Sequence, residues 1–194
     1  KILFWYDNNK RILPWRKNTS KEQKLYFTLV SEFMLQQTQV STVIPYFKRF
    51  VQKIPNFKKL SKANDQTLMK LWEGLGYYSR ARNLKKSAIM INGKFGGILP
   101  SNFDDLKSLP GVGDYTSTAI MAIAFNQKFI PLDGNVERIL KRVLYLRSEK
   151  AISKENMQIS KKFFGLSERA SDYAQAIMEL GALVCRPTSP LCEK

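Results

Sequence analysis

The sequence predicts an all-α protein, on three observations. Apolar residues recur at three- and four-residue spacing almost throughout, two-residue alternation is scarce, and glycine or proline punctuates the periodic segments. Leu25, Leu29 and Phe33, with Val30 and Met34, set out one helix, and Val43, Phe47, Phe50, Val51 and Ile54 set out the next. Leu68, Leu71 and Trp72 mark a third. Ala81, Leu84, Ala88 and Ile91 mark a fourth, stopped by Gly93, Gly96, Gly97 and Pro100. Ser101 with Asp104 reads as the cap of a short helix carrying Phe103 and Leu106. After Pro110-Gly111-Val112-Gly113, residues 114–126 are rich in Ala and Ile, which predicts a helix deep in the fold. Asp133 opens a helix through Val136, Ile139, Leu140 and Val143, and two more are expected at 153–164 and 171–184.

A chain of 194 residues accommodates one large domain or two small ones, and its 44% hydrophobic content is that of a folded soluble protein. Lys and Arg number 32 against 16 Asp and Glu, leaving +16, the balance of a chain that meets a polyanion such as nucleic acid. A membrane fits poorly, because no apolar run approaches the roughly 20 residues of a spanning helix and the basic residues do not cluster beside one hydrophobic segment. Histidine is absent, which excludes Ser-His-Asp triads and imidazole zinc sites and leaves acid-base chemistry to Asp, Glu, Lys, Tyr or Cys. Two cysteines, Cys185 and Cys192, are too few and too local for a disulfide framework. With no targeting peptide visible, a reducing cytoplasm is expected.

Leu109-Pro110-Gly111-Val112-Gly113 joins two helices. Glycine at both positions permits positive φ and lets another backbone approach closely. A helix that begins at once aims several N–H groups and the positive end of its dipole at one spot, a grip on phosphate without sequence preference. A tight corner between helices with no ligand has the same local sequence; the net charge favours phosphate.

This turn resembles the helix-hairpin-helix of DNA-repair glycosylases related to endonuclease III. Ser31-Glu32-Phe33-Met34-Leu35-Gln36-Gln37-Thr38-Gln39-Val40, Gly74-Leu75-Gly76-Tyr77-Tyr78-Ser79-Arg80-Ala81-Arg82-Asn83 and Leu132-Asp133-Gly134-Asn135-Val136 resemble, in the same order, signature segments of the MutY-type adenine glycosylases. The resemblance covers nearly the whole chain. It implies a six-helix barrel domain at 17–127 with the hairpin at 106–126, and a second helical domain from 1–16 plus 128–194 that carries an iron-sulfur cluster in the family. It also implies a monomeric bacterial enzyme on double-stranded DNA, hydrolysing the bond between deoxyribose and an adenine mispaired with 8-oxoguanine or guanine.

Glu32 lies in the apolar run Val30 to Leu35 and is expected to be buried, which disfavours its charged form and suits it to hand a proton to a leaving group. A solvated or salt-bridged position at the helix rim is the other reading. Asp133 is placed to cap the following helix. By the resemblance, Glu32 protonates adenine at N7 and helps activate water, while Asp133 answers the positive, oxocarbenium-like sugar. Asn135 and Tyr115 match positions that hydrogen-bond within this centre. Where Tyr115 stands, bifunctional relatives carry a lysine that forms a Schiff base; a phenol cannot, so base excision without efficient strand cleavage is expected.

Gln37 and Tyr77 match the positions that wedge into DNA when the base is flipped, against the plainer readings of a polar helix surface and a packed aromatic. Arg80 and Arg82 are expected on phosphates or in surface ion pairs. Trp15 and Arg16 resemble the segment near the adenine pocket, and Gln175 falls where a polar lining residue is expected. Cys185 and Cys192 resemble the start of a four-cysteine motif for a 4Fe-4S cluster, expected in the complete protein. The same fold acting on thymine in G:T mismatches and a non-catalytic DNA-binding module are the rivals; the pair Glu32 and Asp133 argues against both.

Overall fold

A computed structural model describes residues 1–146 and 168–193, and the regular structure among them is helical. The order is α1 (Ile2–Asn9), a 3-10 turn (Pro14–Arg16), α2 (Lys21–Leu35), α3 (Val40–Lys53), α4 (Phe57–Ser61), α5 (Asp65–Trp72), α6 (Tyr78–Lys94), α7 (Phe103–Lys107), α8 (Asp114–Ile123), α9 (Gly134–Val143) and α10 (Ala170–Leu183). The helix expected at 153–164 lies outside the described residues. None of the described helices is long and apolar enough to cross a membrane.

The chain divides into two compact units, Ile12–Ile120 and Lys1–Arg11 with Met121–Lys194. In the first, α2 is the central helix: ten consecutive residues from Leu25 to Met34 are buried, the pattern of a helix covered on all sides. Ser20 starts it, its Oγ accepting from Gln23 N at 3.2 Å. Phe47 and Phe50 of α3, Leu68 and Trp72 of α5, and Leu84, Ala88 and Ile91 of α6 share this core. In the second unit, Val136, Ile139 and Leu140 of α9 pack with Ala170 and Ile177 of α10 and with Ile130 from the segment before α9. Arg11 closes a bidentate pair on the fully buried Glu179 of α10 at 2.8 and 2.9 Å, and Arg169 grips Asp7 of α1 at 2.9 and 2.7 Å.

Helix ends depart from the sequence reading in three places. Asn102, not Ser101, caps α7, because its Oδ1 reaches the free Asp105 N–H at 2.9 Å. Helix α6 runs through Gly93 to Lys94; the stop is made by Gly96 and Gly97, both at positive φ, which return the Gly97 N–H to Ile91 O at 2.9 Å. Helix α8 ends at Ile123 instead of residue 126, where Asn126 turns to φ 54 and lets Gln127 N donate to Met121 O.

Candidate functional site

Near the C-terminal end of α2, Glu32 is 5% exposed on the central helix, followed by Phe33. The hairpin turn presses on that neighbour. Gly111 has φ 81, and a Cβ built there would come within 2.9 Å of both Phe33 Cε1 and Asn83 Cβ. Gln36 Nε2 donates to Gly111 O at 3.3 Å and Thr116 Oγ1 at 3.4 Å, and Ser87 Oγ donates to Pro110 O at 2.8 Å. The two glycines therefore differ from the expectation that treated them alike. Side chains, not a second backbone, close on Gly111, whereas Gly113 is outside the positive-φ region and a Cβ there would meet nothing within 4 Å. That leaves open space before the N-terminus of α8, where Tyr115 sits half-buried in the first turn.

Two short loops follow α2 and α5. Gln37, just past α2, is exposed at φ 55, and Tyr77, at the start of α6, is 59% exposed at φ 47. Gly74 and Gly76 precede Tyr77 at φ 90 and 74, and a side chain at Gly74 would strike the Tyr46 hydroxyl.

Arg80 corrects the reading that put it on phosphate or in a surface pair: it is 6% exposed and donates to backbone carbonyls at the end of α2 and in the loop before α6. Its burial pushes the guanidinium pKa down, and the nearby Tyr77 opposes that. The sequence carried a signal for it, since Arg80 shares the 80, 84, 87, 88, 91 stripe that α6 turns inward. Gln36, which reads as polar helix surface, is half-buried against the hairpin turn, and Arg82 is exposed.

Trp15 is half-buried in the 3-10 turn, its ring edge-to-face with Phe47 at 5.3 Å, and Arg16 beside it is half-buried. In the other unit, Asp133 caps α9: Oδ1 accepts from Val136 N at 2.7 Å and Oδ2 from Asn135 Nδ2 at 3.3 Å. Asn135 in turn accepts from Arg138 Nη2 at 2.7 Å, and Gly181 allows α10 to lie against it, since a Cβ there would be 2.6 Å from Asn135 Cβ. Gln175 is buried with its amide donating to Ser171 O and Oγ at 3.3 Å.

Cys185 is half-buried and receives Arg142 Nη1 at its Sγ, 3.2 Å away, while Cys192 is exposed. No three His, Cys, Asp or Glu side chains gather to hold a metal among the described residues. A 4Fe-4S cluster takes four thiolates, and the two in this sequence do not hold one by themselves.

The model of the HhH-GPD superfamily base excision DNA repair proteins matches residues 30–164. The chain is 43% identical over 204 residues to an adenine DNA glycosylase from Homo sapiens, covering 100% of this chain and 37% of that protein. It is 39% identical over 195 residues to an adenine DNA glycosylase from Buchnera aphidicola subsp. Schizaphis graminum, covering 98% of this chain and 55% of that one. It thus spans between about a third and about half the length of these relatives. Among solved structures, a thermostable thymine-DNA glycosylase superposes with a TM-score of 0.87 at 27% identity, over 100% of this chain and 88% of the other. A trapped endonuclease III–DNA complex superposes with a TM-score of 0.77 at 21% identity, over 100% and 87%; that likeness concerns the fold alone.

Proposed function

The chain belongs to the HhH-GPD superfamily of base excision DNA repair proteins, and from that premise we propose that it is the catalytic part of an adenine DNA glycosylase. Its substrate is double-stranded DNA carrying adenine opposite 8-oxoguanine or guanine, and it acts as a monomer in a reducing compartment. The observation that carries this reading is Glu32, a carboxyl 5% exposed on the central helix, one residue from the side chain against which the hairpin turn packs. A glycosidic leaving group needs a proton, and in a chain without histidine a sheltered carboxylic acid is the group suited to deliver it.

Glu32 protonates adenine at N7 and then helps activate water. Asp133 answers the positive charge that develops on the deoxyribose, and Asn135 and Tyr115 serve the same reaction as hydrogen-bonding groups. The open space at Gly113, just before the N-terminus of α8, suits a phosphate. Gln37 and Tyr77 enter the duplex as the adenine leaves the stack, and Trp15 and Arg16 contact the extruded base. Tyr115 cannot form an imine, so the product is an abasic site. Thymine, the base named for one structural relative, leaves without the help of ring protonation, which makes Glu32 favour adenine. Cys185 and Cys192 would supply two of the four thiolates of a 4Fe-4S cluster.

The purified protein should release adenine from duplexes with A opposite 8-oxoguanine, without a borohydride-trapped adduct. Glu32→Gln should bind the same duplex while turnover falls by about 10²–10⁴, the usual contribution of a general acid. Turnover at the wild-type rate in that variant removes the proposed acid.

A further inference from the structure

Gln37 and Tyr77 stand on separate loops, one between α2 and α3 and one between α5 and α6, and both adopt a positive φ that L side chains hold only when their surroundings impose it. A single buried side chain reaches both loops. Arg80 Nη1 donates to Phe33 O at 3.3 Å, to Met34 O at 2.8 Å and to Gln36 O. Its Nη2 donates to Leu75 O at 3.1 Å and Gly76 O at 3.2 Å. Trp72 Nε1 adds a second bond to Gly76 O at 3.1 Å, and the guanidinium carbon lies 5.7 Å from the Trp72 ring and 5.2 Å from the Tyr77 ring.

The chemistry explains why arginine stands here. The last carbonyls of a helix lack partners within the helix and carry its negative end, and a planar fork of five N–H donors can serve two groups of acceptors at once in a fixed geometry, which the flexible, three-donor ammonium of lysine lacks. Among the described residues the acceptors of Arg80 are backbone carbonyls.

We infer that Arg80 is a positioning residue that locks the Gln36–Gln37 and Leu75–Tyr77 loops into one rigid two-pronged wedge, so that opening of the duplex depends on it although it touches no DNA. The inference rests on the proposed entry of Gln37 and Tyr77 into DNA.

The test compares wild type with Arg80→Met and Arg80→Lys in three measurements. These are duplex affinity, the fluorescence rise of a 2-aminopurine unstacked on binding, and turnover on adenine either paired with 8-oxoguanine or held in a one-base bulge. Affinity should stay near wild type, since phosphate contacts supply it. The fluorescence rise should be largely lost, and turnover on paired adenine should fall by about 100-fold, as for misplaced positioning groups. Turnover on bulged adenine, already out of the stack, should recover to near the wild-type rate. An equal loss on both substrates, or an unchanged fluorescence rise, overturns the inference. Should Arg80→Met not fold, Arg80→Lys carries the same comparison, and wild-type behaviour in it is likewise fatal. Unstacking by the wild type without adenine release would end the glycosylase reading and leave the wedge standing; adenine release with normal unstacking in the variants would do the reverse.

Discussion

Gly111 and Gly113 stand two residues apart in surroundings that share little. Gly111 has φ 81 and is hemmed in by Phe33 and Asn83, both 2.9 Å from where a Cβ would sit. Gly111→Ala should therefore cost about 1–3 kcal/mol in chemical denaturation, the usual toll of a strained φ, and more if Phe33 cannot move. Gly113→Ala should leave the denaturation midpoint unchanged, because nothing lies within 4 Å of its added methyl, and yet weaken DNA binding if a phosphate occupies that space. A Gly113→Ala protein with wild-type affinity would show that the space takes no ligand. Both glycines read alike in sequence, since the neighbours that separate them come from α2 and α6, 28 or more residues earlier. Glu32 was legible for the opposite reason: its apolar neighbours are its own sequence neighbours.

Caps and helix ends carry the next level. Asp133 caps α9 through a 2.7 Å bond to Val136 N, and its charge is the part proposed to act on the sugar. Two substitutions separate the two duties. Asp133→Asn keeps a capping oxygen, so stability should hold while adenine release collapses; Asp133→Ala should lose release and also about 1 kcal/mol of stability. Near-normal release by Asp133→Asn would remove the electrostatic role. The long helices were legible because an apolar period of 3.6 shows itself over three or four turns. Helix α4, with 5 residues, and the 3-residue turn at Pro14 are too short to show a period. They form because Asn56 accepts from Lys59 N at 2.9 Å and because Pro14 is preset for the first turn of a helix.

For the molecule as a whole, a charge of +16 makes affinity for DNA a matter of counterion release. If the protein neutralises six to ten phosphates, affinity should fall by about 10³–10⁵ between 50 and 200 mM salt; a flat titration would mean that the basic residues do not meet the duplex. Some of that charge is elsewhere. Lys53, Lys58, Lys59 and Lys62 line a cleft of about 540 Å³ where α3 ends and α5 begins, the far ends of those helices from Gln37 and Tyr77, about 20 Å along α3 at 1.5 Å per residue. The sequence by itself determined the helical class, the burial of Glu32, the capping by Asp133 and the run of segments that marks the family, because each is written within a few neighbouring residues. Only the tertiary structure decided what Arg80 does and which glycine is confined, since carbonyls from α2 and from the loop before α6 converge on one guanidinium only after the chain between them has folded.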